Sequence, residues 1–192
     1  MELGNKLPGL TILDPACGCG SLLLAAWRRL ARGDRRAGRP AAPSAARCLF
    51  GVDVDPEAVL VARRSLWLEI LTAGGGELDD AAARRVLDHL TANVRCGDAL
   101  PGAALRGLEG RVDAVIGNPP YRRELDTKHL LDRVAATEFG RRWRTARMDF
   151  WYYFLHRGLE LLRPGGLLSF IVGSYWTAGR GAEKLIRALR ES

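Results

Sequence analysis

Short apolar runs bounded by Gly, Pro or Asp alternate along this chain with longer stretches of helical period. The runs predict strands at 10–14 (LTILD), 48–53 (CLFGVD), 92–96 (ANVRC), 112–117 (VDAVIG) and 167–172 (LLSFIV). A helix over SLLLAAWRRLAR is predicted after the first strand. PEAVLVARRSLWLEIL follows the second, with Asp55 placed to cap it and Pro56 at its first position. DDAAARRVLDHL precedes the third strand. DFWYYFLHRGLELL precedes the fifth and is expected to stop at RPGG, and GAEKLIRALRES forms a last helix. Strands alternating with helices predict an α/β fold with an open, doubly wound, mostly parallel sheet. Residues 33–47 (GDRRAGRPAAPSAAR) read as a flexible surface loop. Residues 122–147 are polar, Arg-rich and only weakly periodic, so no element is assigned to them.

Composition narrows the class. At 192 residues the chain suits one domain, 1–192, with a real core. No apolar run approaches a membrane span, and MELGNKLPGL lacks the regions of a signal peptide, so a cytoplasmic protein is expected. Cys17, Cys19, Cys48 and Cys96 show no paired C-x-x-C spacing, which indicates neither a metal site nor a disulfide framework. Reduced, mostly buried thiols are expected. The net charge of +7 is carried almost wholly by arginine. Arginine's fork suits phosphate, although an Arg- and Ala-rich chain also follows from GC-rich coding. Charge alone leaves nucleic acid open.

In a sheet of this kind ligands bind beyond the carboxyl ends of the strands. The residues there read DPACGCG, DVDP, GDAL and NPPY after the first four strands. In the first, Gly18 and Gly20 let the backbone approach a ligand or make a tight turn. With Asp55 assigned to capping, Asp53 is left free at the end of the second strand, where ribose hydroxyls could be held. Asp98 sits at the next crevice position, as a ligand acceptor or an ordinary turn aspartate. Asp14, Asp53 and Asp98 beyond three strands, with a Gly-rich first turn, describe a nucleoside pocket. G-x-G-x-x-G is not met, because Leu23 stands where the third glycine would fall, so a single nucleoside fits better than a dinucleotide. Pro119 and Pro120 forbid strand pairing and fix a rigid turn that presents Asn118 and Tyr121 at the sheet's edge.

LDPACGCGSLLLAA, GVDVDPEAVLVAR, GDAL, DAVIGNPPY and MDFWYYFLHRGLELLRPGGLLSFIV together resemble the N6-adenine DNA methyltransferases. Among these the chain is most similar to the modification domains of type IIG and type I restriction-modification enzymes, from about residue 9 to 190. The resemblance implies a Rossmann-like fold, S-adenosylmethionine as cofactor and the exocyclic amine of adenine as acceptor. Asp14, Pro15, Ala16, Cys17, Gly18 and Gly20 would cradle the methionine moiety. Asp53 would hold the ribose hydroxyls and Asp98 the cofactor's adenine amino group. Phe154 would pack on the cofactor adenine, or pack in the core with Phe150, Trp151 and Leu161, or both. The Asn118 side-chain carbonyl and the Pro119 backbone carbonyl would accept the two N–H bonds of the target amine. Pro120 would help fix that geometry beforehand, and Tyr121 would stack on a base flipped from double-stranded DNA.

The chain departs from the family pattern at Cys19, where Ser or Thr is usual. It is also expected to be a truncated core, without the last antiparallel strands, the upstream segment or a target-recognition region. A specificity subunit or such a region would then choose the site. His89, His129 and His156 have no evident role. Two other readings stand beside this one: a protein-glutamine or RNA-amine methyltransferase, since those also use an NPPY turn, and a non-catalytic DNA-binding fragment.

Overall fold

The computed structural model describes residues 9–36, 46–73, 79–121, 124–174 and 181–191. Five strands, β1 (Ile12–Asp14), β2 (Leu49–Asp53), β3 (Val94–Cys96), β4 (Val112–Gly117) and β5 (Leu162–Phe170), form one sheet in the order β3-β2-β1-β4-β5. Every pairing is parallel. Seven α-helices are described: α1 (Ser21–Arg36), α2 (Pro56–Ala73), α3 (Asp80–Asn93), α4 (Glu124–Ala135), α5 (Glu138–Trp143), α6 (Trp151–Leu161) and α7 (Glu183–Glu191). Their starts follow the capping chemistry of the sequence. Asp55 Oδ1 accepts from Glu57 N at 2.9 Å, and Asp79 Oδ1 from Ala82 N at 2.6 Å.

Alternate residues of the strands feed two apolar clusters, as a parallel sheet covered on its faces requires. Leu13 and Val52 join Val115, Leu131, Phe150 and Tyr153 in one cluster, built largely on α6. Leu49 and Val94 join Leu23, Trp27, Leu66 and Leu90 in the other, built on α1, α2 and α3. No described helix is long and apolar enough to cross a membrane.

The structure corrects four expectations. β5 starts at Leu162, not 167, and runs through Pro164-Gly165-Gly166. Val112 pairs with Leu162 and Ala114 with Leu167, so β5 carries extra residues opposite a short step of β4. Gly165 has φ +74°, and a Cβ on Gly166 would lie 3.1 Å from the Val112 carbonyl oxygen. The glycines therefore shape a bulge instead of ending pairing. Asp113 secures it, accepting from Arg163 Nε at 2.5 Å and from Thr11 N at 2.8 Å. Next, α1 continues to Arg36 through the start of the expected 33–47 loop, while residues 37–45 lie outside the described residues. Residues 124–143 hold two helices, where no element was assigned. Finally, Cys17 is buried but Cys19 and Cys96 are exposed, so the thiols are not mostly buried.

At the α4–α5 corner the backbone leaves no room for a side chain at Gly140. Thr137 caps α5 through Gly140 N at 3.0 Å. A Cβ at Gly140 would stand 1.9 Å from the Val134 carbonyl oxygen. Gly140→Ala is expected to cost about 1–3 kcal/mol or more by forcing the helices apart. Urea denaturation reads this; an unchanged midpoint would show that the corner yields.

Candidate functional site

The carboxyl ends of β1, β2, β3 and β4 open together into one cavity of about 620 Å³. Its floor is knitted by hydrogen bonds between the turns. Beyond β1, Asp14 is buried and its Oδ1 accepts from Ala16 N at 3.0 Å. Cys17 N donates to the Val52 carbonyl at 3.0 Å. Gly18 (φ +50°) and Gly20 (φ +85°) carry the chain round to α1. Gly20 leaves no room for a side chain, because a Cβ would lie 2.9 Å from that of Ala62 on α2.

Asp53 is not free. Its Oδ2 accepts from Gly18 N at 2.8 Å and its Oδ1 from Asp55 N at 3.0 Å. Its backbone carbonyl accepts from Gly97 N at 2.8 Å. One residue thus joins the turns beyond β1, β2 and β3. A carboxylate offers about four acceptor positions, so both oxygens retain capacity toward the cavity they line. Asp98 Oδ1 accepts from Leu100 N at 3.0 Å, and its Oδ2 lies 3.6 Å from Arg133 Nη2.

Beyond β4, Pro119 is buried while Asn118 and Tyr121 are exposed. The Tyr121 hydroxyl lies 2.7 Å from Asn118 Oδ1 and 2.6 Å from the Ile171 carbonyl oxygen. Its single proton serves one of them at a time. The ring is held by its tip and keeps half its surface exposed (51%).

Of the residues singled out in the sequence, Pro15, Ala16, Asp53, Asp98, Asn118, Pro120 and Phe154 line the cavity. Asp14, Cys17, Gly18, Gly20, Pro119 and Tyr121 do not; they build its floor and rim. The Cys17 side chain turns inward, so that a Cβ at Gly51 would lie 3.0 Å from its sulfur. Burial pushes its thiol up to about 12, which keeps it protonated. Phe154 does both things expected of it, lining the cavity and meeting Phe150 edge-on at 5.8 Å.

The sequence reading missed Val54, Phe150 and the α4 residues His129, Leu130 and Arg133, which also line the cavity. His129 therefore has a place in the site. A signal existed in α4: positions 129 and 133 are one turn apart, so they share a face. Val54 signals itself only in three dimensions, as an exposed valine (69%) in a concave wall.

The family model that matches residues 47–192 is described as Eco57I restriction-modification methylase. The chain belongs to that family. Adenine-specific methyltransferase PglX of Streptomyces coelicolor is 35% identical over 146 residues, 58% of this chain and 12% of that protein. The chain spans only 9% to 16% of the curated relatives it matches. Among solved structures, a class I S-adenosylmethionine-dependent methyltransferase of Listeria monocytogenes aligns at TM-score 0.59 and 20% identity. The alignment covers 97% of this chain and 46% of that one. The type IIL restriction-modification enzyme MmeI, solved in complex with DNA, aligns at TM-score 0.66 and 18% identity, over 98% of this chain and 28% of that one. The chain therefore shares the Rossmann-like fold of these structures.

The buried acid beyond β1 makes a pH prediction. Burial, and secondarily the neighbouring Asp53 charge, raise the Asp14 carboxyl to about 7, against the lowering effect of the Ala16 N–H. The folded chain then keeps a proton that the unfolded chain, with an ordinary carboxyl, releases near pH 4. Asp14's contribution to stability falls as pH rises from about 4 to about 7 and levels off above. Asp14→Asn is expected to stabilise the protein by about 1–3 kcal/mol more at pH 8 than at pH 5, measured by urea denaturation. An equal effect at both pH values would contradict it.

Proposed function

We propose that the chain is the catalytic core of an adenine-specific DNA methyltransferase of a restriction-modification system, using S-adenosylmethionine and acting in the cytoplasm. The observation that carries this is the single cavity that joins Asp53, Asp98 and Asn118. Its chemistry fits the cofactor: two acids with unused acceptor positions face a space walled by Val54, Leu130, Phe150 and Phe154. When bound, S-adenosylmethionine supplies a methyl group made electrophilic by its sulfonium.

The chain's own residues then have separable tasks. Asp53 accepts from the ribose hydroxyls, and Asp98 from the cofactor's adenine amine. Phe154 and Val54 offer apolar contact to the ring. The turn from Asp14 to Gly20, which reaches the cavity at Pro15 and Ala16, would hold the methionine moiety. On the other side, Asn118 Oδ1 and the Pro119 carbonyl accept the N–H bonds of the target amine. That amine is a poor nucleophile because its lone pair is delocalised into the ring. Two acceptors draw the nitrogen toward tetrahedral geometry and aim the lone pair at the methyl carbon. The Pro119–Pro120 turn fixes both acceptors in advance, so little reorganisation accompanies transfer.

Tyr121 supports the same reading. When a target N–H reaches Asn118 Oδ1, the tyrosine hydroxyl can give its proton to the Ile171 carbonyl instead. Its exposed ring remains a stacking face for a base flipped from double-stranded DNA. The excess positive charge suits the phosphate backbone. A target-recognition region or specificity subunit would select the sequence.

Labelled methyl transfer from S-adenosylmethionine to adenine in DNA tests this. Asn118→Ala is expected to lower the rate by about 10²-fold or more while leaving cofactor affinity nearly unchanged. Undiminished transfer by the variant, or label entering only protein or RNA, would overturn the assignment.

A further inference from the structure

Arg157 is a buried arginine at 8% exposure, one turn beyond Phe154 on α6. Removing a guanidinium from water is costly unless its donors are met. Nη1 donates to Glu160 Oε2 at 2.9 Å and Nη2 donates to the Leu100 backbone carbonyl, while Nε is buried with no partner among the described residues. Its Cζ lies 3.8 Å from the centre of the Phe139 ring, and on another side the turn at Gly102 passes it. A Cβ at Gly102 would lie 3.3 Å from Nη2, and this glycine has φ +85°, so backbone and absent side chain together make the space. Burial lowers the pKa of the guanidinium, opposed mainly by the charge of Glu160. Glu160 is itself fixed, its Oε1 accepting from Trp143 Nε1 at 3.0 Å.

The segment held by this plate is the turn that carries Asp98. Leu100 gives its carbonyl to Arg157 and its N–H to Asp98 Oδ1 at 3.0 Å. The side chain of Asp98 is therefore oriented by a residue whose own position is set from inside the protein. On the solvent side its only described ion pair is with Arg133, which is 68% exposed and 3.6 Å away. A contact that exposed and that long orients weakly.

We propose that Arg157 is a positioning residue for nucleobase recognition: through Leu100 it sets the Asp98 carboxylate to accept from an exocyclic amine of the cofactor. This rests on the reading of Asp98 given above. Arg157 touches no ligand; it acts through the Gly97–Gly102 turn. Its planar fork spans Leu100 and Glu160 at once, which a single ammonium cannot reproduce.

The test compares binding of S-adenosylhomocysteine with S-inosylhomocysteine, which has a carbonyl in place of the amine, by calorimetry. The wild-type protein is expected to prefer the amine by about tenfold or more, as for a hydrogen bond to a charged group. Arg157→Lys is expected to lower that preference by about threefold or more, beyond any loss common to both ligands. In an Asp98→Ala background the same change should leave the preference where it is, because the acceptor is already gone. A merely structural role would weaken both ligands alike in either background. If Arg157→Lys does not fold by circular dichroism, Glu160→Gln, which loosens the same plate, is read in the same way. A folded variant with an unchanged preference overturns the proposal while leaving Asp98 in its role. A wild-type protein that binds the ligands without preference overturns both.

Discussion

The Asp53 carboxylate holds the site together. It takes the Gly18 N–H from the first turn and the Asp55 N–H at the start of α2, while its own carbonyl takes the Gly97 N–H from the third turn. Three loops that are far apart in sequence are thereby set at fixed distances. Hydrogen bonds with a charged acceptor are the stronger kind. This one is also partly shielded, so the loops need little ordering when a ligand arrives. The same acid closes the floor and faces the cavity, and that double use is why the pocket exists before it is filled.

Around this tie the fold divides labour between the two sheet faces. The α1–α2–α3 side is packed by aliphatic residues and Trp27, and brings Gly20 within van der Waals distance of Ala62. The α6 side is aromatic and carries buried polar groups as well. There Trp143 stacks on His156 at 4.0 Å, and burial lowers that histidine to about 4, so it stays neutral. Arg157 and Glu160 extend from this layer to the turn beyond β3. The Asp98 side of the cavity is thus stiffened from one face and its glycine turn from the other. The Asn118–Tyr121 turn stands on β4 between them, tied to the end of β5 at Ile171.

What could be read in the sequence was what local chemistry decides. β4 was placed at its observed bounds because Val112 and then the unbroken run Ala114 to Gly117 lead into Asn-Pro-Pro. The Asp55–Pro56 start of α2 follows from side-chain capping and proline's fixed φ. The crevice residues followed from the rule that parallel sheets bind ligands at their carboxyl ends. What could not be read was set by long-range contact. Pro164-Gly165-Gly166 looks like a stop, and only pairing with β4 turns it into a bulge. α4 buries just Leu131 and Val134 strongly among its described side chains, too thin a stripe to show against its charges. Asp53 was expected to be free for a ligand, and its tie to the Gly18 N–H was not legible, because Gly18 lies 35 positions away. Family membership is shown by the match over residues 47–192.

The most direct measurement is a calorimetric titration of the protein with S-adenosylmethionine, beside Asp53→Ala. The account predicts saturable binding by the wild type and a loss of at least about tenfold in the variant, with unchanged secondary structure. Equal binding by both proteins, or no binding by a folded wild type, would contradict it.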